Sequence, residues 1–548
     1  MDNWACDFET TTDENDCRVW CWGACNVETL EFVYGTDIED YIRWLKKTNG
    51  QFWFHNLAWD GEFIISYLLK SGWEWTKDKL HEKNFSTLIS ELGEFYELKI
   101  HFSGKNKIIH DSFKVIPFSI EAIGKQLGDI NKLHINYEKR RPIGYIPNNK
   151  EIEYLKHDVV IQARALKAMF SIGGNKMTIG SNALHMYKEG IGKYYKYWFP
   201  PPQYDADIRQ SYKGGYVYVN PKYKGKIIGK GVVYDVNSLY PYVMYSRAYP
   251  VGEPIFFEGA YIEDKTFPLY IVMFRCCFEL KEGYLPTIQL KGNLNYVPTE
   301  YVTSSEGRCE TLCLTSVDLK LFLEHYDVWE IEYLSGYKFR AKNGIFTDYI
   351  EHWTKKKIEY EKAGNMMMRT ICKLYLNNLY GKFATNPVVK SKIPIGFDGD
   401  GKVAYKVTEP EERKPVYLPV GSFVTAWARD YIIRAAQKNY DRFIYCDTDS
   451  LHLRGTDDGI GIEIDTYKIG AFKLEKTFTK AKYLRAKTYL HEIDGKRKVT
   501  CAGMPDRTKE NVTFDNFNTG TEYGGKLTRK RVSGGVILKE TTFRLRKG

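Results

Sequence analysis

The six residues Tyr445–Ser450, YCDTDS, constrain the fold more than any other stretch of the chain. Asp447 and Asp449 flank a single Thr, with the apolar runs FIYC before them and LHL after them. Short apolar runs meeting at a polar tip predict two strands of a tight antiparallel hairpin. Side chains alternate along a strand, so acids two apart leave the same face. Paired carboxylates on a hairpin tip suit a divalent cation, whereas the bland alternative is an unrelated acidic turn.

Other acids recur in patterns that could complete such sites. Asp235 ends the apolar strand VVYD, and the turn into NSLYP offers backbone that can face a triphosphate. Near the N-terminus Asp7 and Glu9 sit two apart in DFET, a spacing that serves a cation or merely a solvated strand end. Asp60 follows in HNLAWDGEF, and Tyr154 and Asp158 stand four apart in EIEYLKHD, one above the other on a helix. Four carboxylates and a Tyr able to orient water suit two divalent ions hydrolysing a phosphodiester. A further helix, KLYLNNLYG, aligns Lys373, Asn377 and Tyr380 on one face, a cation for phosphates and a ring for a base, with Arg369 one turn earlier. Leu374, Leu376 and Leu379 of the same segment read as core.

At 548 residues the chain is too long for one core, and three or more domains are expected. An excess of 79 Lys and Arg over 69 Asp and Glu, with 15% aromatic residues, points first to an anionic, stackable partner such as nucleic acid. No apolar run approaches the ~20 residues of a membrane span, and the N-terminus lacks the basic flank and apolar stretch of a secretory signal. Eleven cysteines, an odd number, predict reduced thiols. Cys17, Cys21 and Cys25, and again Cys309 and Cys313, are spaced by four, which could hold zinc but in a strand merely shares a face. The first ~175 residues read as an α/β layer ending in a helix closed by Gly173 and Gly174. Trp353 to Tyr380 reads as continuous helix ended by Gly381, and GFDGDGK reads as a hairpin turn rather than a calcium loop. The C-terminus is basic, with KLTRKR and RLRK around an apolar strand.

Taken in order, DFET, HNLAWDGEF and YLKHD resemble the three exonuclease motifs of proofreading DNA polymerases of the DEDD type. VVYDVNSLYP, KLYLNNLYG and YCDTDS resemble the A, B and C motifs of family B DNA polymerases. YKGG at 212–215 resembles the linker that coordinates synthesis with editing, and TAWAR and KTY resemble elements gripping template and primer. The similarity runs nearly end to end and is nearest to the protein-primed family B DNA polymerases of the phi29 type from bacteriophages.

That resemblance implies a multidomain α/β and α+β fold, an RNase-H-like 3′–5′ exonuclease followed by a right-hand polymerase. Residues 1–178 would be the exonuclease, 179–246 and 419–501 the palm, 345–384 the fingers and 502–548 the thumb. Residues 247–344 and 385–418 would be the two terminal-protein-region insertions. The resemblance assigns catalysis and metal binding to Asp7, Glu9, Asp60 and Asp158, with Tyr154 and Lys132 assisting. Asp235 with Val236, Asp447 and Asp449 would hold the polymerase metals, two Mg²⁺ or Mn²⁺ ions per site. Nucleotide would meet Val236, Tyr240, Lys373, Asn377, Tyr380 and Arg369. The stretch from Trp353 to Lys373 is about one helical turn longer than the family pattern, so the second phosphate-binding lysine is one of Lys355, Lys356 and Lys357, with Lys357 preferred. DNA would meet Thr10, His55, Asn56, Ser112, Tyr212, Gly214, Gly215, Thr425, Arg429, Lys487 and Tyr489. The implied partners are primer-template and single-stranded DNA, deoxynucleotides and a terminal protein, in the cytoplasm of an infected bacterium. A polymerase using ordinary primers shares every one of these motifs, and a non-enzymatic DNA-binding initiation protein is the rival of another class. All seven metal-site acids weigh against the latter, since clustered carboxylates repel DNA.

Overall fold

The computed structural model describes residues 2–546 apart from 79, 80, 202, 291–296 and 298; Lys547 of the RLRK run and part of the 247–344 segment therefore lie outside the described residues. The N-terminal layer is an eight-stranded mixed sheet in which Asn3–Thr10 lies between antiparallel Val19–Asn26 and parallel Gln51–Phe54, itself parallel to Lys105–Asp111. Alternation along Asn3–Thr10 decides what each face does. Trp4, Cys6 and Phe8 pack with Tyr41 and Ile64 of the helices Ile38–Lys47 and Asp60–Lys70. Ala5 packs instead with Leu155 and Val159 of the helix Asn149–Ser171, so Asp7 and Glu9 share the face that this helix covers. Asn148 and Glu151 start that helix with a reciprocal capping box, and Gly173, at φ +80°, follows its end.

The second layer is a five-stranded antiparallel sheet ordered Phe472–Phe478, Gly231–Val236, Ser450–Arg454, Phe443–Asp447, Val217–Val219. The buried helix Leu418–Gln437 packs on the strand Phe443–Asp447 and on the short helix Leu239–Ser246. Between the two halves of this layer, residues 249–342 form a separate four-stranded sheet ordered Tyr249–Glu258, Tyr326–Lys342, Leu269–Leu280, Glu310–Thr315.

The expected single helix from Trp353 to Tyr380 is two helices, Thr347–Lys362 and Met366–Phe383, packed on each other. Gly364 turns the chain at φ +71°, and Asn365 caps the second helix by accepting from the Met368 N–H. Gly381 does not stop that helix, which continues to Phe383.

The GFDGDGK run forms the predicted hairpin turn, where the Asp398 carboxylate accepts from the Asp400 and Lys402 N–H groups between Lys392–Phe397 and Val403–Val407. The 385–418 segment that carries this turn forms an arm tied to the rest of the chain. Tyr405 donates its hydroxyl to Glu62, Ser391 bridges Ser90, and Arg531 of the C-terminal hairpin donates to the Val403 carbonyl. The tip of that hairpin, Glu522–Val532 with Gly535–Arg544, reaches back to the N-terminal layer. Gly534 lies so close that a Cβ would stand 2.2 Å from the Cys17 carbonyl oxygen. Val403, Val532 and Val536 thus share a core with Phe8 and Phe63.

Candidate active sites: two carboxylate clusters on separate sheets

In the N-terminal layer, Glu9, Asp60 and Asp158 are buried and Asp7 is partly so. Asp60 opens its helix and accepts from the Phe8 N–H at 3.2 Å, which ties it to the strand that carries Asp7 and Glu9. Lys132 Nζ lies 2.6 Å from Asp158 Oδ2, while Asp158 Oδ1 is buried with no hydrogen-bond partner. Tyr137 and Tyr154 share a hydroxyl–hydroxyl bond of 2.6 Å. Burial first, and the neighbouring Asp158 second, push the Asp7 carboxyl up to about 7; Glu9 and Asp60 are raised by burial and by Asp7, and Asp158 by burial against the pull of Lys132. Lys132 itself is held above its ordinary value, because Asp158 outweighs its burial. Four acids that cannot all ionise together, one with an orphaned oxygen, fit a divalent cation, whose charge would reverse that penalty. Among the described residues no three of these carboxylates bring oxygens within 4.8 Å of one another.

Around this cluster the expected DNA-facing residues divide. Thr10 ends its strand partly exposed, and Asn56 is exposed at φ +72°, its N–H held by Asp111 Oδ1. His55 is clamped between Ser112 Oγ at 2.9 Å and the Phe118 carbonyl at 2.7 Å, and burial pushes its imidazole down to about 4. Ser112, also expected to line the single-stranded end, lies behind His55. It is 1% exposed, and its hydroxyl donates to the Phe54 carbonyl and accepts from Gln162, so it supports His55 from behind.

In the second layer the register pairs Asp235 with Ser450, which sets Asp235 beside the tip of the Asp447–Asp449 hairpin. The Val236 N–H donates to the Asp449 carbonyl at 2.8 Å. Thr448 sits at φ +63° and its N–H bonds the Tyr216 carbonyl, which anchors the tip to the segment after YKGG. A cleft of about 630 Å³ holds Asp235, Asp449, Tyr240, Lys357, Arg369, Lys373, Asn377 and Tyr380 together. Burial, then Asp449 and Glu475, push Asp235 up to about 7, and Asp449 is raised chiefly by burial. Asp447 stands apart, its carboxylate 2.7 Å from Lys487 Nζ and 3.1 Å from the Tyr445 hydroxyl. Tyr489 packs its ring on Tyr445 behind it.

The wall opposite the acids is cationic. Lys357 faces the cleft, and burial with Arg369 and Lys373 pushes its ammonium down; Lys356 pairs instead with Glu359 on the outside, and Lys355 lines a different hollow. Tyr240 and Tyr380 stack at 3.9 Å between ring centroids. Glu475 and Lys473 also line the cleft and were not singled out from sequence; their strand Phe472–Phe478 pairs with that of Asp235, a contact no local spacing reveals.

YKGG earns its glycines at one point above all. A Cβ on Gly215 would stand 2.7 Å from Thr448 Oγ1 and 3.1 Å from the Tyr240 hydroxyl oxygen. Tyr212 is partly buried beside this turn. Thr425 and Arg429, both expected to meet DNA, are 1% and 2% exposed in this structure. The Arg429 guanidinium is bidentate on Asp318 at 3.0 and 2.7 Å and donates to the Lys213 and Gly214 carbonyls at 2.7 Å each. It buttresses the YKGG turn from inside. The Thr425 hydroxyl is turned onto the Gly421 and Ser422 carbonyls of its own helix.

The cysteine spacings make no metal site of their own. Cys21 and Cys25 share one core, Cys17 lies in another, and burial pushes all three thiols up to about 12. Among the described residues no helix is long and apolar enough to cross a membrane.

Comparison with known proteins agrees with this architecture. The family described as DNA polymerase type B, organellar and viral, matches residues 124–463. The DNA polymerase of Bacillus phage phi29 is 44% identical, with 99% of each chain covered. That of Streptococcus phage Cp-1 is 34% identical over 99% of this chain and 98% of its own. Among solved structures, phi29 DNA polymerase complexed with primer-template DNA and incoming nucleotide substrates is similar at a TM-score of 0.94 and 42% identity over the whole of both chains. The same polymerase complexed with single-stranded DNA is similar at a TM-score of 0.92 and 42% identity, again over the whole of both chains.

Proposed function

Because the chain belongs to the type B DNA polymerases of organellar and viral kind, and is a phi29-type DNA polymerase, we propose that it starts from a protein hydroxyl, displaces the strand ahead and proofreads 3′ to 5′. The observation that carries the two-activity part of this reading is the pair of carboxylate clusters in one chain, one largely buried in the N-terminal layer and one lining the cleft of the second layer. One cluster serves synthesis and the other hydrolysis, in the cytoplasm of an infected bacterium.

For synthesis, Asp235 and Asp449, assisted by Asp447 and the Val236 backbone, would hold Mg²⁺ or Mn²⁺. A divalent cation bound there lowers the pKa of the primer hydroxyl and offsets charge on the departing pyrophosphate. Lys357, Arg369 and Lys373 bind and orient the triphosphate, whose negative charge meets the cationic wall of the cleft. Tyr240, stacked on Tyr380, bounds the sugar pocket and excludes a 2′-hydroxyl.

For proofreading, Asp7, Glu9, Asp60 and Asp158 would hold the ions. Lys132 steadies Asp158, and Tyr154, bonded to Tyr137, orients the attacking water. Thr10 and Asn56 bind the single-stranded end, with His55 held rigid beside them. The arm, tied to the N-terminal layer and to the C-terminal hairpin, is the element that would part the strand ahead from its complement.

Two activity assays on the intact protein test the two-site reading. Asp449→Ala should abolish nucleotide addition and spare degradation of single strands, and Asp7→Ala with Asp60→Ala should do the reverse. Loss of both activities in either folded variant would refute it. Protein priming is tested by covalent transfer of a labelled nucleotide to a purified terminal protein, and its absence alongside extension of DNA primers would leave an ordinary-primer polymerase.

A further inference from the structure

Three metal-ligating side chains meet in the sheet of residues 249–342, far in sequence from both carboxylate clusters. Cys277 lies near the end of Leu269–Leu280, Cys309 immediately precedes Glu310–Thr315, and Glu330 lies within Tyr326–Lys342. Cys276 pairs with Glu310, so the next position along the antiparallel ladder brings Cys277 against Cys309 although they are 32 residues apart in sequence. The two sulfurs stand 2.6 Å apart, and Glu330 Oε2 lies 3.1 Å from Cys309 Sγ and 3.8 Å from Cys277 Sγ. Cys277 is buried, Cys309 intermediate and Glu330 exposed, and all three ligand atoms fall within 4.8 Å of one another. Cys309 finds its partner in Cys277, not in Cys313, the residue its sequence spacing suggested.

The backbone is bent to achieve this. The register steps from Arg275 opposite Glu332 to Cys277 opposite Trp329, so two steps on one strand face three on the other. Glu330 is in the bulged segment and sits at φ +52°, a left-handed conformation that favours glycine. A bulge re-aims a side chain, and here the carboxylate is turned onto the two sulfurs. The Arg275 Nε donates to the Cys309 carbonyl and fixes the loop that presents the second thiol.

We infer that Cys277, Cys309 and Glu330 bind a thiophilic divalent cation of the Zn²⁺ class, which clasps three adjacent strands of this sheet. A divalent cation here would displace the thiol protons, and thiolates select Zn²⁺ over the Mg²⁺ suited to oxygen-only clusters. With Zn–S bonds of about 2.3 Å the sulfurs of a tetrahedral site stand roughly 3.8 Å apart, so Cys309, outside the regular strand, opens by about 1 Å on loading. Exposure on the Glu330 side leaves the fourth position to water. A cystine at this position is the competing state, and intact mass distinguishes it from the metal site.

The full-length protein is loaded with Zn²⁺ in the presence of excess Mg²⁺, desalted, and its metal content measured alongside its intact mass without reductant. The expected result is about one Zn²⁺ per chain, its loss in Cys309→Ser, and affinity weakened about tenfold or more in Glu330→Gln. Replacement by Co²⁺ should give a thiolate-to-cobalt absorption band in the parent and none in Cys309→Ser. Both substitutions lie outside the buried core, and the circular dichroism of the parent should be retained. Absence of stoichiometric Zn²⁺, equal Zn²⁺ in parent and Cys309→Ser, or a metal-free parent two hydrogens lighter than its sequence would each overturn the assignment.

Discussion

Arg429 is the residue whose removal should separate architecture from chemistry most sharply. Its guanidinium joins the helix Leu418–Gln437 to Asp318 of the 249–342 sheet region and to the carbonyls of the YKGG turn, all with little solvent access. Breaking a buried pair by deleting one partner costs about 3–5 kcal/mol, because the surviving charge stays desolvated. In Asp318→Ala two carbonyl acceptors still serve Arg429, which points to the lower end, about 3 kcal/mol, or an opening equilibrium raised on the order of 100-fold. Hydrogen exchange of peptides covering 418–437 and 212–216 reads that change directly, without assuming that a chain of this size unfolds in one step. Replacing both partners by apolar residues, Asp318→Leu with Arg429→Met, should recover most of the protection, since hydrophobic substitutes for a buried pair are often neutral. The double variant should nevertheless polymerise poorly, because the Lys213 and Gly214 carbonyls lose their donor and Gly215 packs directly on Thr448 and Tyr240. Single-strand degradation should persist. Exchange altered less than about threefold in Asp318→Ala, far below that expectation, or full polymerase activity in the double variant, would refute the buttress.

If the Tyr240 ring, stacked on Tyr380, bounds the sugar pocket as proposed, Tyr240→Val should admit ribonucleotides; unchanged discrimination in a primer-extension assay would make Tyr240 merely packed. Asp7 and Asp235, with carboxyls pushed up to about 7, hold protons in the folded chain that the unfolded chain has already shed. Their contribution to metal-free stability is therefore present at low pH and lost as pH rises through about 7. The gain in Tm on adding Mg²⁺ should accordingly grow from about pH 6 to about pH 8, as the cation meets less competition from protons, and a gain that is flat or falls with pH would contradict this account. Replacing residues 388–414 by a short Gly/Ser linker should preserve single-nucleotide addition on a gapped primer but abolish strand displacement under a DNA trap, because the arm's ties to Glu62, Ser90 and Arg531 are lost. Displacement equal to the parent's would refute the arm's role.

Residues that act within one element were legible from spacing alone. Asp7 with Glu9, Tyr154 with Asp158, and Asp447 with Asp449 follow from strand, helix and hairpin periodicity, and their elements form as expected. The fingers-like helix failed at a single position, since Gly364 is compatible with a helix interior and only the Asn365 cap beyond it marks a turn. Arg429 misled for a different reason. The TAWAR resemblance implies a DNA contact, and nothing along the helix of Arg429 reveals that Asp318, 111 residues earlier, and the Lys213 and Gly214 carbonyls make its burial tolerable. Glu475 and Cys277 were overlooked on the same ground, because each acquires its partners through strand pairing whose register depends on the assembled sheet. The carboxylates are spread over three elements in the N-terminal cluster and over a strand and a hairpin in the second, and all but Asp7 and Asp158 lie at or beside a strand end, a helix start or a hairpin tip. Those are the places where backbone order stops and a side chain can reach a substrate. Buried supports such as Arg429 and Ser112 lie in mid-element or behind the site, and nothing local distinguishes them from core until the partner is known.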